Sequence, residues 1–259
     1  MAADILGERC GVDLHIAPFE LPYAGHTDAE RRRLTEAVLR DLDGRGLAHR
    51  GRLETEVEDA VVLLGRAPVS ASLVLAARNG RGQGVARIAS NGRQALLVAQ
   101  HGTVLRVDYV RPTAVVGALV GLVPDARPIR GRAVTFPRDD PAAGPAGRHR
   151  DPDEDNGGSL MRKARPANSA YVQERQLANA MAQQPRRRAG TVSVFSRDRH
   201  GREQQAAMLV WHDTDAGRYL IYHTASSDGV EWVSYAPADN VRVAQQLGQL
   251  WSEYALERY

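Results

Sequence analysis

The sequence predicts an α+β fold in which helices and antiparallel strands come in separate runs, and in which the whole pattern occurs twice. Three observations carry this. The hydrophobic period changes in blocks, from about 3.6 residues to about 2, and back again. Short β-rich runs are divided by Asn79-Gly80, Asn91-Gly92 and His101-Gly102, which leave room for tight turns and none for crossover helices. Finally, Val104, Val107 and Tyr109 return as Val230, Val233 and Tyr235. Arg78-Asn79-Gly80-Arg81 returns as Arg199-His200-Gly201-Arg202, and Gly92-Arg93 as Gly217-Arg218. The three echoes keep their order at a nearly constant interval, which marks a duplicated strand-hairpin-strand-strand-helix unit. The half-repeats fall at about 27–136 and 168–254, within one domain spanning 1–259.

Taken in order, Val12, Leu14 and Ile16 alternate with other residues after Ile5-Leu6 and predict a brief strand beside a loop. Thr27 and Glu30 have the spacing of a capping box. Leu34, Val38 and Leu42 form one stripe behind it, so a helix is expected over 28–43, ended by Gly44 and Gly46. Leu53, Val57, Val61 and Leu64 repeat the period, and Gly65 and Pro68 stop it, which completes a helical hairpin. Strands follow at 69–78, 84–90, 94–101 and 104–110. Val115, Val116, Leu119 and Leu122 then suit a helix lying on that meander, and 132–136 suits a further strand.

From Pro137 to about Ala167 the chain is rich in proline, glycine and charge and nearly empty of large apolar groups. Such a stretch cannot offset its own ordering entropy, so residues 138–167 are expected to be a disordered linker. A helix is expected over 169–184, then a second meander at 191–197, 206–212, 218–224 and 231–235. Val243, Leu247, Leu250, Trp251 and Tyr254 form the buried stripe of a last helix.

Composition narrows the function. Hydrophobic residues at 43% supply a sizeable core, and a net charge of +3 with interspersed signs implies no overall field for nucleic acid. The lone Cys10 excludes an internal disulfide and any cysteine-based metal cluster, which fits a cytoplasmic setting. No run is long and apolar enough for a membrane span, so no membrane insertion is expected.

The chemistry-bearing motifs each read better as structure. His212-Asp213-x-Asp215 before Gly217 resembles the start of a calcium loop, but a cation, Arg218, follows and no acid closes the loop, so a polar hairpin suffices. Gly80-Arg81-Gly82-Gln83-Gly84 lacks the Gly-Lys-Ser/Thr ending of a phosphate loop and precedes a strand. No histidine pair sits at helical metal spacing, and no serine sits in a nucleophile elbow. His212 and His223 read as half-buried groups on strands. No catalytic residue, cofactor or metal is expected. Arg186, Arg187 and Arg188, with Arg127, Arg130 and Arg132, keep a nucleic-acid-binding or regulatory module as the alternative, although aromatics at 5% are too few for base stacking. A surface without machinery points to protein binding.

ELPYAGHTDAERRRL at 20–34, the meander RNGRGQGVARIASNGRQALLVAQHGTVLRV at 78–107, and WHDTDAGRYLIYHT with WVSYAPADNVRVAQQL near the end resemble the EspG family. These are cytosolic chaperones of actinobacterial type VII (ESX) secretion. The resemblance implies a pseudo-two-fold central antiparallel sheet flanked by helical bundles. It also implies a non-enzymatic role, that of holding a helical-hairpin substrate, PE–PPE-type or WXG100-like, by the apolar tip of its helices. Carried over by position, the partner-binding residues are Asn79, Gly80, Arg81, Gly82 and Gln83 in the first hairpin. Gln245, Gln246 and Gln249 are their counterparts on the last helix. The stretch ahead of ELPYAG is shorter than the resemblance implies, which predicts one uncovered sheet edge.

Overall fold

The computed structural model describes residues 2–78, 83–138, 171–226 and 229–256. Helix α1 (Ala2–Arg9) opens the chain and α2 (Asp28–Gly44) follows. A two-strand clip, β1 (Ala48–His49) with β2 (Arg52–Leu53), leads to α3 (Thr55–Arg66). The first meander is β3 (Val69–Ala77), β4 (Gly84–Ser90), β5 (Ala95–His101) and β6 (Val104–Val110). A 3₁₀ turn at Pro112–Ala114 then feeds α4 (Val115–Val120). After β7 (Val134–Pro137) and α5 (Val172–Ala182) comes the second meander: β8 (Arg186–Arg197), β9 (Glu203–Thr214), β10 (Gly217–Ala225) and β11 (Glu231–Pro237). Helix α6 (Asn240–Leu256) ends the described chain.

Nine strands form one antiparallel sheet in the order β6-β5-β4-β3-β8-β9-β10-β11-β7. The seam is the β3–β8 pair, running from Val69 opposite Ser196 to Ala77 opposite Arg188. On each side of it lies a four-strand meander that ends in a helix, so the halves are related by a pseudo-two-fold axis through the sheet. The sequence echoes fall on its mates: β6 with β11, the β4–β5 turn with the β9–β10 turn, and the β3–β4 hairpin with the β8–β9 turn. The symmetry breaks at the edges. β7 pairs with β11, whereas among the described residues β6 ends the sheet.

Residue alternation sorts the strand side chains into two layers. On one face Leu73, Val192, Val194, Leu209, Trp211 and Leu220 pack with Leu119 of α4 and with Val243 and Leu247 of α6. On the other, Val61 and Leu64 of α3 join Val12, Leu14 and Phe19 over Ala89, Leu96 and Val98. Met181 of α5 covers Tyr219, Ile221 and Tyr235 in the second half of that same face. The fully buried guanidinium of Arg87 lies 5.1 Å from the Phe195 ring centre. It donates to the Ser70 hydroxyl at 2.7 Å and the Ala17 carbonyl at 2.6 Å, tying the N-terminal segment to the sheet.

Several expectations are corrected. The N-terminal residues form α1, and the alternating Val12 and Leu14 point inward with no ladder partner, because they pack beneath α3 and belong to no strand. The β4–β5 turn centres on Gly92-Arg93, with Gly92 at φ 82°, while the Asn91 side chain accepts from the amides of Arg93 and Gln94. The positive φ falls on glycine alone, so Asn91 flanks the turn. The second meander starts at Arg186, because the arginines alternate out of a strand that pairs with β9. The expected linker at 138–167 lies, from 139 onward, outside the described residues. The capping box of α2 forms as predicted: Glu30 donates its amide to the Thr27 hydroxyl at 3.2 Å, and the Glu30 carboxylate accepts from the Thr27 amide at 3.3 Å.

One glycine is fixed by close approach. Trp211, only 1% exposed, lies across Gly190 on the paired strand, and a Cβ there would fall 1.9 Å from the indole Cζ2. Gly190→Ala is therefore expected to cost about 1–3 kcal/mol through overpacking. The thermal midpoint should fall by roughly 5 °C, as scanning calorimetry would read. Combined with Trp211→Leu, the loss should be less than the sum of the two single changes, since the second removes the ring that the first strikes.

Candidate partner-binding surface

At one end of the sheet the β3–β4 hairpin, the start of β8 and the β9–β10 turn come together. Ala77 pairs with Arg188, and the Arg78 amide donates to the Arg187 carbonyl at 3.1 Å. Arg78, Arg127, Arg186, Arg187 and Arg188 line a groove there with Asp125, Asp213 and Asp215. These cations are largely engaged within the chain. Arg187 pairs with Asp215, Arg188 Nε lies 3.0 Å from Asp213, and nearby Arg132 lies 3.0 Å from Glu174. A phosphate backbone would have to displace those carboxylates before releasing counterions of its own. The arginine-rich segments thus have a structural occupation that the sequence did not disclose.

Beneath that groove, behind Asp213, lies Arg218, which is completely buried. Its guanidinium donates to both Asp213 carboxylate oxygens, at 2.6 and 3.1 Å, to the Pro124 carbonyl at 2.7 Å and to the Asn240 side-chain oxygen. Asn240 in turn donates to Val123 and Asp125 at 2.9 and 3.0 Å, while Asp239 caps α6 by accepting the Arg242 amide at 2.8 Å. One bidentate ion pair therefore fixes β10, the segment after α4 and the start of α6 together. The Asp213-x-Asp215 motif is accounted for by this pair. His212 is buried rather than half-buried and hydrogen-bonds Tyr219 at 2.7 Å. Burial, helped by nearby Arg186, lowers its pKa to about 4, so it is neutral near pH 7. His223 is exposed.

The residues expected to bind a partner are placed as follows. Asn79, Gly80, Arg81 and Gly82 lie outside the described residues, and Gln83 is exposed at the base of the hairpin they belong to. On α6, Gln245 and Gln249 are exposed in one stripe with Val241, but Gln246 turns inward among the core residues and is 8% exposed. Helical periodicity explains this, since 246 stands beside the buried 243 and 247. The start of α6 shares Asp125 and Arg127 with the hairpin end. Gln249 lies roughly 13 Å further along the helix axis, at 1.5 Å per residue, toward the opposite end, where Tyr254 reaches the Ala206 carbonyl.

A third component was not found by sequence reasoning. Register places Leu105, Gln100, Val85, Val74, Thr191, Val210, Ile221, Tyr235 and Val134 in one row across all nine strands on the α3/α5 face. On this face α3 lies chiefly over β4 and β5, and α5 lies against β7 with Met181 reaching Tyr219, Ile221 and Tyr235. The middle of the row is left open. Val74 and Met208 are each 39% exposed, and Ala76 beside Val74 leads directly to the hairpin. The result is a trough with an apolar floor, walled by helices on two sides and continuous with the hairpin. An exposed apolar strip of this kind marks an interaction surface.

Among the described residues, no group of three or more histidine, cysteine or acidic side chains could hold a metal ion, and no helix is long and apolar enough to cross a membrane.

A model of the EspG family matches residues 1–249. No curated protein matches the chain. Among solved structures, the Mycobacterium tuberculosis type VII secretion system chaperone EspG5, determined in complex with a PE25-PPE41 dimer, is similar. The TM-score is 0.62 at 14% identity, covering 99% of this chain and 93% of that one. At that identity the likeness speaks for the fold, and it agrees with the α+β architecture around one large antiparallel sheet.

Proposed function

The chain belongs to the EspG family, and on that premise we propose that it is a non-enzymatic cytoplasmic chaperone for a PE–PPE-type substrate of type VII secretion. It covers the apolar tip of the substrate's helices until the secretion machinery takes the complex. The family match along nearly the whole chain is the observation that carries the reading. The uncovered middle of the α3/α5 face gives it a physical form. A secreted helical hairpin with an apolar end aggregates unless that end is masked, and a sheet-floored trough between helices is shaped to receive one. The hairpin at 79–83 stands as a flanking contact to the same client, and Gln245 and Gln249, across the opposite face of the sheet, stand as a separate contact that a client reaching past the sheet edge would touch.

Co-expression with helical-hairpin proteins encoded nearby is the direct test. A soluble complex that elutes ahead of either component on size exclusion is expected, together with loss of client solubility when the chaperone is left out. If every such candidate elutes alone, the reading is wrong.

A further inference from the structure

From the β6 edge we infer that this chain associates with a second copy of itself, antiparallel strand to strand, giving a two-fold dimer with one continuous sheet. Two observations place the surface. β6 pairs with β5 along all seven residues, and among the described residues nothing pairs with its outer side. Its pseudo-two-fold mate, β11, has that same side filled by β7, with Val233 opposite Phe136 and Tyr235 opposite Val134. Among the described residues, the fold therefore fills a strand position at one edge itself and leaves the equivalent position at the other edge open.

The sequence of β6 indicates what fills it. Edges that stay single are guarded by charged side chains, proline or a bulge. β6, Val-Leu-Arg-Val-Asp-Tyr-Val, has no proline, no glycine and no net charge, and its register is unbroken. It is also self-complementary. If Val107 lies opposite Val107 of a second copy, Arg106 faces the second copy's Asp108, and Asp108 faces its Arg106. On the same face Val104 meets Val110, and on the opposite face Leu105 meets Tyr109. Arg106 and Asp108 now pair with each other, at 2.9 Å along one exposed strand. Val107 and Tyr109 are 48% and 49% exposed, a large fraction for apolar groups in the interior of a strand. Apart from Val107 on the axis, each cross-strand pair would occur twice in this isologous arrangement, so the complementarity counts double.

A single strand-to-strand contact is small. The association should be weak, with half-dimerisation at about 10–100 μM. Sedimentation velocity on the full chain between about 5 and 300 μM should show a rising dimer fraction. Arg106→Asp and Asp108→Arg should each weaken it at least about tenfold by setting like charges opposite each other at two symmetric positions. Mixing the two variants in equal amounts should restore a dimer, because an all-acidic edge then meets an all-basic one, and no misfolded variant could produce that result. Val107→Lys should abolish dimerisation in either background. Wild type that stays monomeric at 300 μM, a dimer indifferent to these charges, or a mixture that remains monomeric would each overturn the inference. None of these outcomes depends on the chaperone reading, which is tested by client binding.

Discussion

Arg218→Met is expected to remove about 3–5 kcal/mol of folding stability, the usual cost of breaking a buried ion pair from one side. That is a large share of a total that runs to about 5–15 kcal/mol for ordinary domains. The substitution roughly preserves the volume of the aliphatic stem, so the loss is electrostatic. Asp213, only 4% exposed, would lose its bidentate partner, and the Pro124 carbonyl and the Asn240 side chain would each lose a donor. Arg188 remains 3.0 Å from Asp213 and softens the penalty, which places the value toward the lower end of the range. Equilibrium urea unfolding would measure it through the midpoint. Replacing both members, Asp213→Leu with Arg218→Met, should recover part of the loss, since a pair of apolar groups leaves no buried charge unpaired. A midpoint that barely moves for Arg218→Met would show that the network is incidental to how α6 is seated.

How far this was readable from the sequence differs from element to element. The two meanders, their order and the capped α2 were legible because each rests on local signals: alternation, glycine-bearing turns, and the Thr27–Glu30 spacing. The start of β8 was hidden because three consecutive arginines look solvated, and only the β9 partner with its acids shows why they belong in a strand. Arg218 and Asp213 read as a polar turn for a related reason. Adjacent charges look the same whether water or protein surrounds them, and burial is a tertiary fact. The open trough was missed because β3, Val-Ser-Ala-Ser-Leu-Val-Leu-Ala-Ala, has small or apolar residues on both faces, so its pattern cannot say which face a helix will leave bare. Gln246 is turned inward by helical phase, which residue type alone does not convey. Its neighbours Val243 and Leu247 had already set the buried side of the helix.

The bare stretch of sheet gives the second large effect. Val74→Glu together with Met208→Glu should weaken client binding by well over about thirtyfold, the loss of roughly 2 kcal/mol or more expected at a central apolar contact. A carboxylate buried under a docked helical tip meets no cation directly beside Val74: the side chains flanking Val74 in the row are Val85 and Thr191, and the next is Val210. Both substituted positions are exposed in the free chain, so the fold should survive with a change of about 1 kcal/mol or less. The comparison that decides the matter is Gln245→Glu with Gln249→Glu, which alters the stripe on α6 across the opposite face of the sheet. If the client sits in the trough, titration calorimetry will show the first pair of changes eliminating the heat of binding and the second pair reducing it modestly. If the order is reversed, the client docks on α6 and the trough serves another purpose. If neither pair matters, the hairpin carries recognition alone, and the apolar row is a surface without a client.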